Sequence, residues 1–468
     1  MRMNDNNVQV PNQRGQLDDP FLIHEDRQER LEEFRRIISS IKQHHYENKF
    51  DDLTRACTKL QNNEPFRIHH NFSLLDDRFA KFYGMALMHN KSLRTLLFTP
   101  MFYDFITQDA AYAFCEALRR CNVREVGIKG NILNHSNRQR LFDAISRSSS
   151  IIHVSFCYCT SLEPLDGDNF VAVGELLSEN PRLQQLQINV GESIQGAERL
   201  AQGISDCNLT NISIIRSGRR LGRAYPYDTE PSTCKILNGV RNAMERSLWR
   251  FAIKSVTPGI PLTEMALGLQ HSTTMRLLKI TDSKLDGTSM ELLGEALKIN
   301  RSLIILVLRS NDITDTTLVR LIPGLTKNSR LLTLDLSSNL INDLAIGQFM
   351  LAVTKMPRLK RLDLSFNPLG SEGLRLIGIS LPTITLETMN LSDHGAPVGF
   401  GECSRNRDAE VDAELKAAEE SLLVGLEQNH RICHIYFGNP PDHCTKFMIS
   451  VKHVLDRNNH GSNKRKEH

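Results

Sequence analysis

The apolar residues between positions 275 and 369 recur in a fixed frame. Each copy of the frame has apolar residues at its positions 1, 4, 6 and 11, an Asn or Ser at position 9, and then a segment with helical spacing. The copies begin at Met275, Leu303, Leu331 and Leu359, so each step is 28 residues. Four copies in one phase indicate a structural repeat.

Two periodicities follow each other within a copy. Leu306 and Leu308 are two residues apart and so face one side of a short strand, whereas Met290, Leu293 and Leu297 recur at helical spacing. We therefore predict one short strand and one helix per copy. A single copy cannot bury both apolar faces, so the copies are predicted to stack into a solenoid with a continuous core.

Position 9 of the frame lies where the chain leaves the strand. Asn311, Asn339 and Asn367 occupy it, and Ser283 replaces Asn in the copy from Met275. An Asn side chain there can bond backbone groups that neighbouring turns leave unpaired. We therefore predict that these asparagines are structural residues and not ligands.

This frame resembles the leucine-rich repeat, and its 28-residue step with a full helix per turn is similar to the ribonuclease-inhibitor-like subclass. The resemblance implies an α/β leucine-rich repeat solenoid, a horseshoe with parallel inner strands, outer helices and an N-terminal helical cap. It also implies a protein-binding scaffold or regulator. Related repeat proteins include inhibitors, sensors, ligase adaptors and bacterial effectors, so the fold alone does not fix the function.

The frame extends through most of the chain. Further copies begin at Leu93, Val123, Ile151, Leu183, Leu209, Leu248, Leu386 and Ile432, and a degenerate first copy contains Phe66, Ile68 and Asn71. The predicted organisation is a disordered tail (residues 1–20), a helical N-terminal cap (21–62), the repeat array (63–444), and a C-terminal capping helix with a basic tail (445–468). A separate partner-binding helical arm is the alternative for the cap. Pro323 is predicted to shorten or kink its helix.

Composition limits the classes of partner. The chain is 40% apolar and 24% charged with a net charge of +3, which is globular and too near neutral to favour nucleic acid. No apolar run approaches the roughly 20 residues that span a bilayer, and the polar first residues lack a secretory signal. We expect a cytosolic or nuclear protein without membrane association or disulfides. Residues 464–466 are basic and are the candidate nuclear address. The oligomeric state stays open.

Enzyme signatures are missing from the sequence. It contains no phosphate-binding loop, no His-Glu-x-x-His and no Gly-x-Ser-x-Gly, so we predict no catalytic residues and no cofactor. The cluster His430, Cys433, His434, His443 and Cys444 matches no zinc-finger spacing, so no metal site is predicted. Cys403 is best interpreted as an ordinary loop thiol. A GTPase-activating protein is the alternative function, because the Ran GTPase activator has similar repeats, and an effector acting on a host protein is another.

Three steps of the array are long. The extra residues, 162–168, 216–233 and 394–409, all fall between a strand and its helix and so share one edge of the solenoid. They are either neutral loops or binding loops. The middle insertion favours binding, because its Arg and Tyr side chains suit an acidic or phosphorylated protein surface: Arg216, Arg219, Arg220, Arg223, Tyr225 and Tyr227.

Positions 3, 5 and 7 of each copy are predicted to point into the concave face. The middle of this face is predicted to be positive, through Arg250, Lys254, Lys279 and Arg309. The C-terminal third is predicted to be negative, through Asp335 and Asp363, with Asp393 next to them. We therefore expect a protein partner to bind the concave face and the strand-to-helix loop edge.

Overall fold

The computed structural model of the chain describes residues 68–69, 93–98, 115–128, 135–156, 167–190, 194–216, 231–254, 262–392, 409–437 and 445–466. The predicted tail and helical cap (residues 1–62) lie outside these ranges, as does most of each insertion. The chain divides into two compact units. One comprises Met1–Leu96, Met101–Val123 and Leu133–Ser150, and the larger one comprises Leu97–Pro100, Arg124–Ile132 and Ile151–His468.

Strands and helices alternate along the described ranges. The strands are β1 (Ile68–His69), β2 (Thr95–Phe98), β3 (Glu125–Ile128), β4 (His153–Phe156), β5 (Gln185–Val190), β6 (Asn211–Arg216), β7 (Arg250–Lys254), β8 (Leu277–Thr281), β9 (Ile305–Val307), β10 (Thr333–Asp335), β11 (Arg361–Asp363), β12 (Thr388–Asn390) and β13 (His434–Tyr436). The helices are residues 115–120, α1 (His135–Arg147), α2 (Gly167–Glu179), α3 (Ala197–Asp206), α4 (Pro231–Arg246), α5 (Thr263–His271), α6 (Gly287–Ile299), α7 (Asp315–Lys327), α8 (Asp343–Thr354), α9 (Ser371–Ser380), α10 (Ala409–Gln428) and α11 (Thr445–Lys466). A 3-10 helix, Leu381–Thr383, follows α9.

The larger unit is an α/β solenoid. Its strands β3 to β13 pair in parallel, and their order in the sheet is their order in the chain. Every strand from β2 onward begins two residues after the predicted position 1 of its copy. The predicted fold class, with parallel strands alternating with helices, is therefore confirmed.

The core of the larger unit lies between the sheet and the helices. The strand residues Leu306 and Leu308 are buried, and so are the helix residues Met290, Leu293 and Leu297. The two periodicities in the sequence thus correspond to one buried strand face and one buried helix face. Each copy buries these faces only because its neighbours cover them.

Glycines lie at close contacts between neighbouring helices. A Cβ atom added at Gly324 on α7 would lie 2.3 Å from the carbonyl oxygen of Gly294 on α6. The same contact occurs between α3 and α2, where a Cβ at Gly203 would lie 2.4 Å from the oxygen of Gly174. No side chain fits between these backbones, so the glycines allow the helix spacing of the stack.

The asparagines at position 9 form the predicted turn ladder. Asn339 Oδ1 accepts the N–H groups of Asn311 and Ile313 at 2.9 and 3.1 Å. Its Nδ2 donates to the carbonyls of Leu308, Leu336 and Ser337 at 3.0, 2.7 and 3.1 Å. Asn339 is buried. The structural role predicted for this position is confirmed.

A second asparagine ladder lies at the opposite turns, where helices end and strands begin. Asn328 Nδ2 donates to the carbonyls of Leu297 and Asn300 at 3.1 and 3.2 Å, and its Oδ1 accepts the N–H of Leu331 at 3.0 Å. Asn300 and Asn429 make equivalent bonds in their own copies. The repeat frame did not predict this ladder, although an Asn three residues before position 1 is its sequence signal.

Two helices differ from the sequence expectations. Helix α7 runs through Pro323 and has 13 residues, as many as α6, so the expected shortening was wrong. Pro323 is exposed, and the carbonyl that loses its amide partner there can bond water instead. Helix α11 continues to Lys466 and thus includes the basic residues 464–466.

No helix in the described parts of the chain is long and apolar enough to cross a membrane.

Candidate protein-binding surface

One side of the sheet is not covered by the helices, and positions 3, 5 and 7 of the copies in the larger unit form it. We call this side the sheet face. The strand register aligns position 5 of successive copies in one row: Gly127, Ser155, Gln187, Ser213, Ala252, Lys279, Val307, Asp335, Asp363, Asn390 and Tyr436. Polar and charged residues dominate this row, whereas position 4 of each of these copies is buried on the opposite side of the strand. Within the row, Lys279 and Tyr436 are exposed, Gly127 and Ser155 are buried, and the others are half-buried. Solvent access on this face is therefore greatest toward its middle and C-terminal end.

Three of the predicted cations form a diagonal across the sheet face. Arg250 is at position 3 of β7, Lys279 is at position 5 of β8, and Arg309 is at position 7, two residues beyond the end of β9. The strand spacing and the rise per residue place successive members about 8 Å apart at their Cα atoms. All three are exposed, and their side chains have no hydrogen bond or ion pair with the rest of the described chain. Their full charge is available to a partner.

Lys254, the fourth predicted cation, has an acidic neighbour. Its Nζ lies 3.7 Å from Asp282 Oδ2, and both side chains are exposed to solvent. Asp282 follows β8, next to the end of β7 where Lys254 lies, and has a left-handed φ of 54°. Such an exposed pair contributes little to stability, but it reduces the positive charge at this corner of the face.

The negative end of the face is held in a fixed geometry. Asp335 and Asp363 are direct register partners on β10 and β11. Asp335 Oδ1 accepts the N–H and the hydroxyl of Ser337 at 2.9 and 2.6 Å, and Asp363 bonds Ser365 in the same way at 3.0 and 2.6 Å. Asn390 also donates to Asp363 Oδ2 at 3.1 Å. The repeated serine therefore fixes each carboxylate on the sheet.

Two aromatic side chains lie exposed at the same end, and the sequence analysis did not select them. Tyr436 on β13 is 52% exposed, and Phe366, which follows β11, is 50% exposed. Phe366 has a φ of 55°, which is unusual for a bulky residue. The signal for Phe366 in the sequence is an aromatic residue at a position where the three preceding copies carry Asp282, Ser310 and Ser338.

Most of the predicted loop site lies outside the described residues. Arg216 ends β6, where its backbone pairs with Val190. The other members, Arg219, Arg220, Arg223, Tyr225 and Tyr227, lie in residues 217–230, which the structure does not describe. The structure therefore brings together the strand residues of the predicted site but leaves its loop residues untested.

A histidine–glutamate pair lies on the sheet face, near the N-terminal end of the larger unit. His153 Nδ1 lies 3.3 Å from Glu125 Oε1 on the adjacent strand. Burial lowers the pKa of His153 below its ordinary value, although the Glu125 carboxylate acts in the opposite direction. Burial therefore favours the neutral form of His153 on this face.

The described residues contain no group of three or more His, Cys, Asp or Glu side chains that could hold a metal ion. His443 and Cys444 of the candidate cluster lie outside them. Cys115, Cys121 and Cys207 are buried and form no disulfide. Burial raises the pKa of Cys115 to about 12 and those of Cys121 and Cys207 to about 11, which makes these three thiols poor nucleophiles.

No protein-family model matches the sequence. No curated protein matches it either. Among solved structures, the chain is similar to actin-binding site 2 of leiomodin-1, with 14% identity over 44% of this chain and 95% of that one, at a TM-score of 0.29. It is also similar to the tropomodulin C-terminal domain of Caenorhabditis elegans, with 14% identity over 44% of this chain and 98% of that one, at a TM-score of 0.27. Likeness at this level assigns neither a family nor a function to the chain.

Proposed function

We propose that this chain is a non-enzymatic scaffold or regulator that binds an acidic or phosphorylated protein, in the cytosol or nucleus, through its sheet face and strand-to-helix loop edge. The observation that carries the proposal is the diagonal of exposed, unpaired cations Arg250, Lys279 and Arg309. We also assign the repeats to the ribonuclease-inhibitor-like subclass. The 28-residue step and the 13-residue helices α6 and α7 support that assignment.

The sheet face suits recognition of a charged surface for two reasons. Its cations stand on strands of a continuous sheet, so little backbone order has to be gained on binding. Its fixed carboxylates, Asp335 and Asp363, would repel acidic groups that bind out of register, which gives specificity. Arg guanidinium groups can in addition hold carboxylates or phosphates through two parallel hydrogen bonds.

The test begins with affinity purification of the partner from cells and continues with the purified pair. The double reversal Lys279→Glu with Arg309→Glu should weaken binding at least about tenfold, which corresponds to about 1.4 kcal/mol. The control reverses two cations that are exposed on the outer helices α10 and α11, Lys416→Glu with Lys452→Glu. The control changes the net charge equally, so it should leave the affinity within about twofold if position and not overall charge matters.

Unchanged affinity in the sheet-face variant, with the same unfolding midpoint as wild type, would remove the sheet face from the interface. An enzymatic role is tested separately by GTP hydrolysis with a panel of small GTPases. We expect no acceleration by this chain. A reproducible acceleration would replace the scaffold proposal with a GTPase-activating one.

A further inference from the structure

The turns that lead from helices into strands β7 to β11 are uniformly basic. Five consecutive turns, residues 247–250, 272–277, 300–305, 328–333 and 356–361, contain no Asp or Glu. They contain seven cationic residues: Arg250, Arg276, Arg301, Arg330, Arg358, Lys360 and Arg361. We call these five turns the basic edge. Their strands are neighbours in the sheet, so the edge extends over about 20 Å.

Part of this charge has a structural role. Cations near helix C-termini are stabilised by the helix dipole and by the free carbonyls of the last turn. Arg276 Nη1 donates to Thr273 O and Ser302 O at 3.0 Å each. Arg301 Nη1 donates to Lys298 O at 2.7 Å, and Arg330 Nε donates to Arg301 O at 3.2 Å.

These bonds also prepare the three arginines for binding. Each of Arg276, Arg301 and Arg330 uses one guanidinium nitrogen for the backbone, while the residue as a whole stays exposed. A guanidinium that is already held in place loses little rotamer freedom when an anion binds its remaining N–H groups.

The helix dipole does not account for the rest of the edge. Arg250, Arg358 and Arg361 are exposed, and their side chains have no bonded partner in the described parts of the chain. Lys360 is the exception because it pairs with Glu387. Arginines without a bonded partner among the described residues are available to an external anion.

The only Trp of the chain lies on this edge. Trp249 is 45% exposed. It precedes Arg250 in the sequence, and its carbonyl accepts the N–H of Arg276 at 2.8 Å, so Arg276 occupies the next turn at the same level. Trp and Arg are the residue types that most often dominate interface energies. An exposed indole between two arginines has the composition of such an anchor.

We infer that the basic edge binds an extended acidic segment of a partner protein, with Trp249 contacting an apolar side chain of that segment. Arg250, Arg276 and Arg301 bind its carboxylate or phosphate groups. The inference rests on the proposed function and names a second part of the same partner's footprint, because Arg250 belongs to both surfaces. A polypeptide fits better than single-stranded nucleic acid, which needs successive aromatic platforms. It also fits better than a membrane, since Trp249 is the one exposed large apolar residue in these turns.

The test uses synthetic peptides without Trp, so that Trp249 reports binding through its own fluorescence. One peptide alternates Glu with Leu, a second has Lys in place of Glu, and a third has phosphoserine in place of Glu. We expect the acidic peptide to shift the emission of Trp249 in a saturable manner and the Lys peptide to have no effect. Tighter binding of the phosphoserine peptide would identify phosphate as the source of the negative charge, and equal binding would identify carboxylate.

Variants locate the binding site. Fluorescence anisotropy of a labelled acidic peptide should show at least a fivefold loss of affinity in Arg250→Gln with Arg276→Gln, and also in Trp249→Ala. Trp249→Phe should retain binding because a large ring remains. The control Lys416→Gln with Lys452→Gln removes two exposed cations from α10 and α11 and should be silent.

Three results would overturn the inference. The first is that no acidic peptide binds. The second is that the variant Arg250→Gln with Arg276→Gln binds the acidic peptide as tightly as wild type does and has a normal unfolding midpoint, and the third is that the chain binds a single-stranded oligonucleotide or an anionic vesicle more tightly than the acidic peptide. Failure here is distinguishable from failure of the proposed function. If Lys279→Glu with Arg309→Glu still releases the purified partner, only the assignment of the basic edge is lost.

Discussion

At the scale of single residues, Asn339 joins two consecutive turns of the array through five backbone bonds. Asn339→Leu should lower the free energy of unfolding by about 3 kcal/mol, because buried backbone groups of both turns would lose their partners. Chemical denaturation measures the change. The matched control is Asn242→Leu, because Asn242 is exposed on α4 and its side chain makes one hydrogen bond, to Ser205 at 3.1 Å. An unchanged midpoint for Asn339→Leu would mean that water satisfies these groups.

His153 gives a prediction for pH dependence. Its pKa is lowered in the folded chain, chiefly by burial, so the unfolded chain binds a proton more readily. The neutral histidine therefore contributes stability above its unfolded pKa of about 6.5, and this contribution is lost as the pH falls through the folded value.

The variant His153→Gln should remove this part of the acid sensitivity. When the pH is lowered from 7.5 to 5, the free energy of unfolding of the variant should fall less than that of wild type, as measured by urea unfolding at both pH values. His271→Gln, at an exposed position on α5, is the control. A pH-independent difference between wild type and His153→Gln would show that His153 titrates alike in both states.

The sequence identified the sheet-face residues but not their partners. The period-2 pattern is local, so it places Arg250, Lys279 and Asp335 on one face without knowledge of any neighbour. The pairing of Lys254 with Asp282 depends on a left-handed residue after β8. The same position of the next three copies has this backbone state too, although the apolar pattern that defines the repeat does not mark it. Trp249 was missed for a related reason, because it precedes the strand positions that the frame assigns to the face.

At the scale of secondary structure elements, the helix contacts give a sharp packing test. Gly324→Ala should destabilise the larger unit by about 1 to 3 kcal/mol, because its Cβ would meet the Gly294 carbonyl at 2.3 Å. The control is Gly347→Ala on the adjacent helix α8, where the nearest atom is Leu376 Cδ1 at 3.5 Å. That substitution should be neutral or stabilising by up to about 1 kcal/mol, since Ala is the better helix former. Equal effects of the two would contradict the backbone contact.

The positions of the strands and helices were predictable because the same apolar pattern recurs in every copy of the repeat. Each strand from β2 onward starts at position 3 of its copy, including the copies on both sides of each long step. Pro323 shows the limit of local rules. A proline inside a helix costs a hydrogen bond, but the packing of buried residues such as Leu321 and Leu325 on the same helix outweighs that cost.

At the scale of the whole chain, a net charge of +3 conceals a strong segregation of charge. In the larger unit, carboxylates gather where helices begin, as with Asp286, which caps α6 and whose pKa is lowered by hydrogen bonds from Ser289. Arginines gather where helices end, on the basic edge. The helix dipole favours both placements. Because the parallel repeats align all helices in one direction, a local preference becomes a surface of one sign along an entire edge.

This segregation leads to a kinetic prediction for the purified partner. Charge steering acts on the association rate and is screened over about 8 Å at physiological salt. Wild-type association should therefore slow steeply as salt rises, whereas dissociation should change less. Lys279→Glu with Arg309→Glu should give a slower rate and a shallower salt dependence, and stopped-flow measurements at several salt concentrations test both.

The predicted loop cations allow the same measurement to define the footprint. If one acidic partner spans the loop and the sheet face, Arg219→Glu with Arg220→Glu should also slow association. The unfolding midpoint should stay close to wild type, because the sequence places both residues in an insertion outside the repeat frame, and substitutions away from a core usually cost within about 0.5 kcal/mol. The two double reversals should then be roughly additive when combined, since they remove separate contacts with the same partner. Salt-insensitive association, with both reversals silent, would move the interface away from the sheet face and toward the outer helices.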